Sequence, residues 1–185
     1  MRKSLRRTSR MQLRPLLMGV IAGALLLGWL VASAAAREGQ ELIGTPMRSW
    51  SELRWLGSPP GDLRGKVVLV DFWTYGCVNC VNTLPHVTQL YSKYRDKGFV
   101  VVGVHTPEFP FERSTGNVQA ALKRHGITYP VAQDNNSATW NAWRNQYWPA
   151  QYIVDQTGRV VYSHAGEGAY DEIDRTVAKL LNAQS

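Results

Sequence analysis

The chain has 185 residues, 44% of them hydrophobic, which is enough for one domain with a proper core and short for two. Its formal charge of +7 suggests a nucleic-acid partner until the charges are located: Arg2, Lys3, Arg6, Arg7, Arg10 and Arg14 all precede the first acid, Glu38. The remaining body carries 15 basic against 14 acidic residues, a balance that leaves no electrostatic footprint for DNA or RNA.

The basic tail runs into Leu16 to Ala36, which holds no charged residue. As a helix this run would reach about 31 Å, the thickness of a bilayer's hydrocarbon core. The positive-inside rule then leaves the arginines in the cytoplasm and sends everything after residue 36 across the membrane. Residues 16–36 are thus expected to be a hydrophobic helix that is either a retained anchor or a signal peptide. The small-residue stretch from Ala32 to Ala36 offers cleavage sites near 34–36. The expected organisation is a basic tail with its export segment over 1–36, a lead-in over 37–65 and a globular domain over 66–185.

The lead-in is rich in Gly, Pro and Ser, with Gly57-Ser58-Pro59-Pro60-Gly61 as a loop, and predicts irregular structure with a short hairpin. Lys66 to Phe72 is an apolar, β-branched run, the pattern of a strand buried on both faces. From Val78 to Lys97, apolar residues at spacings of three and four predict an amphipathic helix kinked at Pro85. Phe99 to Val104 predicts a second buried strand, and 115–125 a helix ended by Gly126. Ser137 to Arg144 predicts a short helix. Gln151 to Asp155 and Arg159 to Ser163 predict strands joined by a turn, and Tyr170 to Leu181 a closing helix. Strand, helix, strand, then a hairpin and a helix imply an α/β fold: a mixed central sheet with helices on both faces.

The chain's two cysteines, Cys77 and Cys80, sit at the junction of the first strand and the first helix. A bridge between them closes so short a loop that it removes little entropy from the unfolded chain, so a structural role fits poorly. Redox chemistry fits better. At a helix N-terminus, unpaired backbone N–H groups and the helix dipole favour a thiolate, which makes Cys77 the expected nucleophile. Cys80, one turn into the helix, is the expected resolving thiol that releases a captured substrate. Asp71, at the end of an otherwise apolar strand, is the expected proton acceptor, because burial raises a carboxyl pKa towards neutrality. The alternative for Asp71 is a solvated strand-end aspartate.

The stretch Val68-Leu69-Val70-Asp71-Phe72-Trp73-Thr74-Tyr75-Gly76-Cys77-Val78-Asn79-Cys80, with Pro85 beyond it, resembles the thioredoxin superfamily and its exported TlpA/ResA-like branch. Val102 to Phe109, Asp134-Asn135-Asn136 and Tyr147-Trp148-Pro149-Ala150 are similar to the thioredoxin-like domain of DipZ-type proteins. The resemblance spans about residues 39–182 and implies a thioredoxin-like fold. It implies that Asp71 is the buried acid, that Trp73 packs beside the active site, and that Pro149 is a cis-proline facing the cysteines. Trp148, Pro149 and Trp73 are then the expected substrate-binding residues. The sequence departs from the family pattern at the Val-Asn dipeptide between the cysteines and at Gly76, where a tryptophan is frequent.

The resemblance implies an extracytoplasmic thiol:disulfide oxidoreductase that reduces protein disulfides and draws electrons from a membrane thiol carrier. Its partners are protein disulfides or thiols, with the membrane engaged through the N-terminal segment and no nucleic acid. No cofactor or metal is expected. An oxidase would use the same residues. A thiol peroxidase is a rival because Thr74 precedes Cys77 by three, although Val70 stands where a peroxiredoxin proline would be. A copper or zinc chaperone built on Cys77, Cys80 and a histidine is another. The four histidines lack ligand spacing to one another and are expected at the surface or in packing, with only His86, next to Pro85, able to reach the site. Trp140, Trp143 and Trp148 with Tyr147 either line a substrate groove or, for the first two, pack a short helix.

Overall fold

A computed structural model describes residues 40–50 and 52–183. The expected hydrophobic helix at 16–36 and its cleavage sites lie outside the described residues. Among the described residues, no helix is long and apolar enough to cross a membrane.

Six strands form one sheet in the order β1-β4-β3-β2-β5-β6. They are β1 (Arg54–Trp55), β2 (Val67–Trp73), β3 (Phe99–His105), β4 (Val131–Gln133), β5 (Ala150–Val154) and β6 (Val160–Ala165). β2, β3 and β4 run parallel, while β5 pairs antiparallel with both β2 and β6. The helices are α1 (Val78–Tyr94), α2 (Thr115–Arg124), α3 (Ala138–Ala142) and α4 (Tyr170–Asn182). This is the thioredoxin-like α/β fold.

Two strand periods explain why β2 is apolar throughout. Val67, Leu69 and Trp73 face a core shared with Cys80, Leu84 and Val87 of α1 and Ile173 and Val177 of α4. Val68, Val70 and Phe72 face the opposite core, closed by Leu42, Trp143 and residues of the lead-in such as Trp50 and Leu63. All seven residues are buried. The alternation of side chains along a strand therefore turns Asp71 towards the side covered by α1. It is the fifth of seven strand residues, between Gly103 and Gln151 on its neighbours, and not at the strand's end as expected.

The lead-in forms no hairpin among the described residues. Its Arg54–Trp55 pairs antiparallel with Gln133 and Ala132, and Pro46 bridges Arg159. The partner strand β4 carries only three residues, too few for a periodic signal, and follows a proline. At the end of α1 the last predicted turn is 3-10, Arg95–Lys97, and Gly98 at φ 86 supplies the left-handed residue that stops it.

Candidate active site

Cys77 caps α1. Its backbone is extended and its Sγ accepts the Cys80 backbone N–H at 3.4 Å, the role that a serine or aspartate fills at other helix starts. Cys77 is half-buried, and its thiol points to the Trp148 carbonyl at 3.8 Å. Cys80 is 1% exposed, so reagents reach the pair at Cys77. Both thiols are free. Burial pushes the Cys80 thiol far up. A hydrogen bond from the Thr74 backbone opposes that shift, and Cys77 and Asp71 add to it.

Asp71 is 1% exposed and receives one hydrogen bond, from Gln151 Nε2 at 3.2 Å, while its Oδ2 has no partner among the described residues. Burial pushes its carboxyl up to about 7, with the Gln151 amide pulling weakly the other way. An acid half-ionised near neutrality on the same side of the sheet as a buried thiol can take that thiol's proton.

The Trp148–Pro149 peptide is cis. Trp148 is fixed from behind: its Nε1 donates to the Thr106 carbonyl at 2.9 Å, and its ring lies 4.1 Å from that of Trp140. Asp134 organises this wall by accepting the Thr139 and Trp140 backbone N–H groups at 3.2 and 2.7 Å and the Thr106 hydroxyl at 3.3 Å. Trp143 is fully buried and Trp140 packs edge-on against Phe72, so both are packing residues. Trp73, expected to touch substrate, has no exposed surface and stands edge-on to His105, 5.2 Å away. It can support the site but not contact a partner.

Glu112 and His105 belong to the site although neither stood out as functional in the sequence. Glu112 is fully buried. Its Oε1 accepts the Gly76 N–H at 2.9 Å, and its Oε2 accepts the N–H groups of Glu108 and Phe109 at 2.7 and 2.8 Å. An acceptor-only carboxylate suits three converging donors. A side chain at position 76 would strike Glu112 Oε1, which explains the glycine before Cys77. The available signal was Glu112 three residues after Phe109, the spacing of a helix-start carboxylate. His105 is fully buried against Tyr75, with Nε2 at 3.3 Å from the Thr74 hydroxyl, and burial pulls its pKa down to about 4, so it stays neutral. His86 stacks on Tyr170 at 3.6 Å and lines a cavity of about 140 Å³ with Gln151, Lys93 and Asp174. Among the described residues, no group of three His, Cys, Asp or Glu could hold a metal ion.

A half-exposed capping thiol, a buried thiol one turn on and a buried acid on the same side of the sheet are set on a thioredoxin-like fold. The chain belongs to the Redoxin family, whose model matches residues 60–181. It is 51% identical over 134 residues to Protein DipZ of Mycobacterium bovis, covering 69% of this chain but 19% of that protein. The chain thus spans about a fifth of the length of that relative. It is 31% identical to the thiol-disulfide oxidoreductase YkuV of Bacillus subtilis, covering 63% of this chain and 78% of that one. Among solved structures, a thioredoxin-like protein in its oxidised form superposes with a TM-score of 0.66 at 29% identity, over 75% of this chain and 95% of that one.

Proposed function

We propose that the chain is an extracytoplasmic reductase of protein disulfides, with Cys77 as nucleophile, Cys80 as resolving thiol and Asp71 as proton acceptor. The observation that carries this reading is the graded burial of the three groups: Cys77 half-exposed at the helix start, Cys80 and Asp71 each 1% exposed, with the Asp71 charge acting on the Cys80 thiol. The Cys77 thiolate attacks one sulfur of a substrate disulfide; the S–S bond breaks, and the leaving sulfur takes up a proton. Cys80 passes its proton to the Asp71 carboxylate, and the new thiolate attacks Cys77 Sγ. The bond between Cys77 and the substrate breaks, the second substrate sulfur takes up the proton held by Asp71, and the substrate leaves as a dithiol carrying two electrons while Cys77 and Cys80 are left as a disulfide. Trp148 and Pro149 form the wall against which an extended substrate lies.

The burial of Cys80 supports the reductase direction. A couple is strongly oxidising when its reduced form is stabilised, and burial disfavours the thiolate at Cys80. The charge asymmetry of the N-terminal tail supports an extracytoplasmic domain, tethered through residues 16–36 or released by cleavage, with a membrane thiol carrier returning the electrons. Equilibration with glutathione buffers tests the direction: a potential near that of the thioredoxins is expected, and a strongly oxidising value overturns the reductase role. Cys80→Ser is expected to accumulate a mixed disulfide on Cys77 with an oxidised protein substrate, and its failure to do so overturns the assignment of the two thiols.

A further inference from the structure

We propose that the exposed aromatic pair Phe109 and Phe111 is the docking surface for a large apolar side chain next to the target cysteine, in an extended segment of a protein substrate. The inference rests on the reductase reading and adds to it the substrate class.

Phe109 is 46% and Phe111 58% exposed, and their rings stack at 5.6 Å with 4° between planes. Burial of a phenylalanine side chain is favourable, so two left about half exposed as a stacked pair on one short segment make an apolar patch open for contact. The segment is held firmly. Glu112 takes the backbone N–H of Phe109 on one oxygen and that of Gly76 on the other, the Tyr75 hydroxyl donates to the Phe111 carbonyl at 2.9 Å, and Asn117 donates to that hydroxyl at 3.3 Å. The aromatic pair and the residue before Cys77 are therefore one rigid unit.

The pair is also next to the reactive sulfur. Phe111 Cζ lies 3.6 Å from where a Cβ on Gly76 would stand, so the missing side chain at 76 leaves Phe111 open beside Cys77. A substrate segment passing the Trp148 carbonyl advances about 3.3 Å per residue. A side chain close in sequence to the substrate cysteine is thus the one that can meet Phe111, which stands against the residue before Cys77. An aromatic or long aliphatic side chain matches such a platform by stacking and by area buried, and a charged one would be desolvated without a partner.

The occupant is a peptide segment and not a second copy of this chain. Five large hydrophobic side chains are exposed among the described residues, and two of them form this pair, whereas a stable dimer needs about 800 Å² per partner.

The test uses the full chain and two disulfide-linked peptides that differ only in the residue after the cysteine, Phe in one and Ser in the other. The ratio of their kcat/KM values within one protein cancels any change in intrinsic thiol reactivity. We expect wild type to prefer the Phe peptide about tenfold, Phe109→Ser/Phe111→Ser to lose the preference, and Phe111→Leu to keep most of it. A ratio near one in wild type, or a preference that survives the double substitution, overturns the docking role. So does concentration-dependent dimerisation that the double substitution abolishes without changing the ratio. Failure of wild type to reduce bis(2-hydroxyethyl) disulfide instead overturns the reductase reading on which the proposal stands.

Discussion

Replacing Asp71 by asparagine removes a carboxyl that folding holds neutral well above its ordinary range. The group titrates at about 7 in the folded chain against an ordinary value of 3.8. A gap of roughly three units at ~1.36 kcal/mol each corresponds to ~4 kcal/mol of differential stability. The sign follows from the direction of the shift. Below pH 4 the carboxyl is neutral in both states and carries no penalty; between 4 and 7 the unfolded chain gains charge that the folded chain resists; above 7 the penalty is complete. The substituted amide stays neutral throughout while keeping an oxygen for the Gln151 amide. Urea unfolding in the presence of a reductant, repeated from pH 4 to pH 9, is therefore expected to show the Asp71→Asn protein gaining about 4 kcal/mol on wild type as pH rises, levelling off above 7. A difference between the two proteins that does not change with pH would refute the claim that burial governs this carboxyl. The same substitution is expected to slow release of the mixed disulfide, since Cys80 loses its proton acceptor.

Three further outcomes follow from the site. Glu112→Ala removes the acceptor of three backbone N–H groups on the exposed residues Gly76, Glu108 and Phe109, each bond worth roughly 0.5–1.5 kcal/mol, so thermal unfolding should show a loss of about 2–4 kcal/mol; Gly76→Ala, which drives a Cβ into the same carboxylate, should cost about 1–3 kcal/mol. Iodoacetamide applied to the native reduced protein is expected to modify Cys77 at least a hundredfold faster than the 1%-exposed Cys80, read by peptide mass mapping; comparable rates would contradict the assigned order of the thiols.

Much of the frame was legible in advance because it rests on local patterns. The apolar run of β2, the three-and-four spacing of α1 and the glycine after the 115–125 helix each encode an element within a few residues, and the observed bounds differ by little. β4 and the pairing of Arg54–Trp55 were not legible: a three-residue strand has no period to detect, and its partner lies about 80 residues away. The same holds for side chains. Cys77 and Cys80 declare themselves by spacing, and Asp71 by its apolar neighbours. Nothing near Glu112 in sequence says that it will meet Gly76, 36 residues earlier, and nothing near Gln151 points to Asp71.

The amino-acid order by itself determined the closely spaced cysteine pair, the strand–helix junction that seats it and the core periodicity of the central strands, because those depend on residues within one or two turns of each other. Only the tertiary structure decided which groups share the site. Trp73 went inside, Glu112 was drawn beneath the loop before Cys77, and two phenylalanines were left at its rim. The reason is that the parallel crossover from β2 through α1 to β3 brings chain segments tens of residues apart to the same end of the sheet, and no local pattern records that meeting.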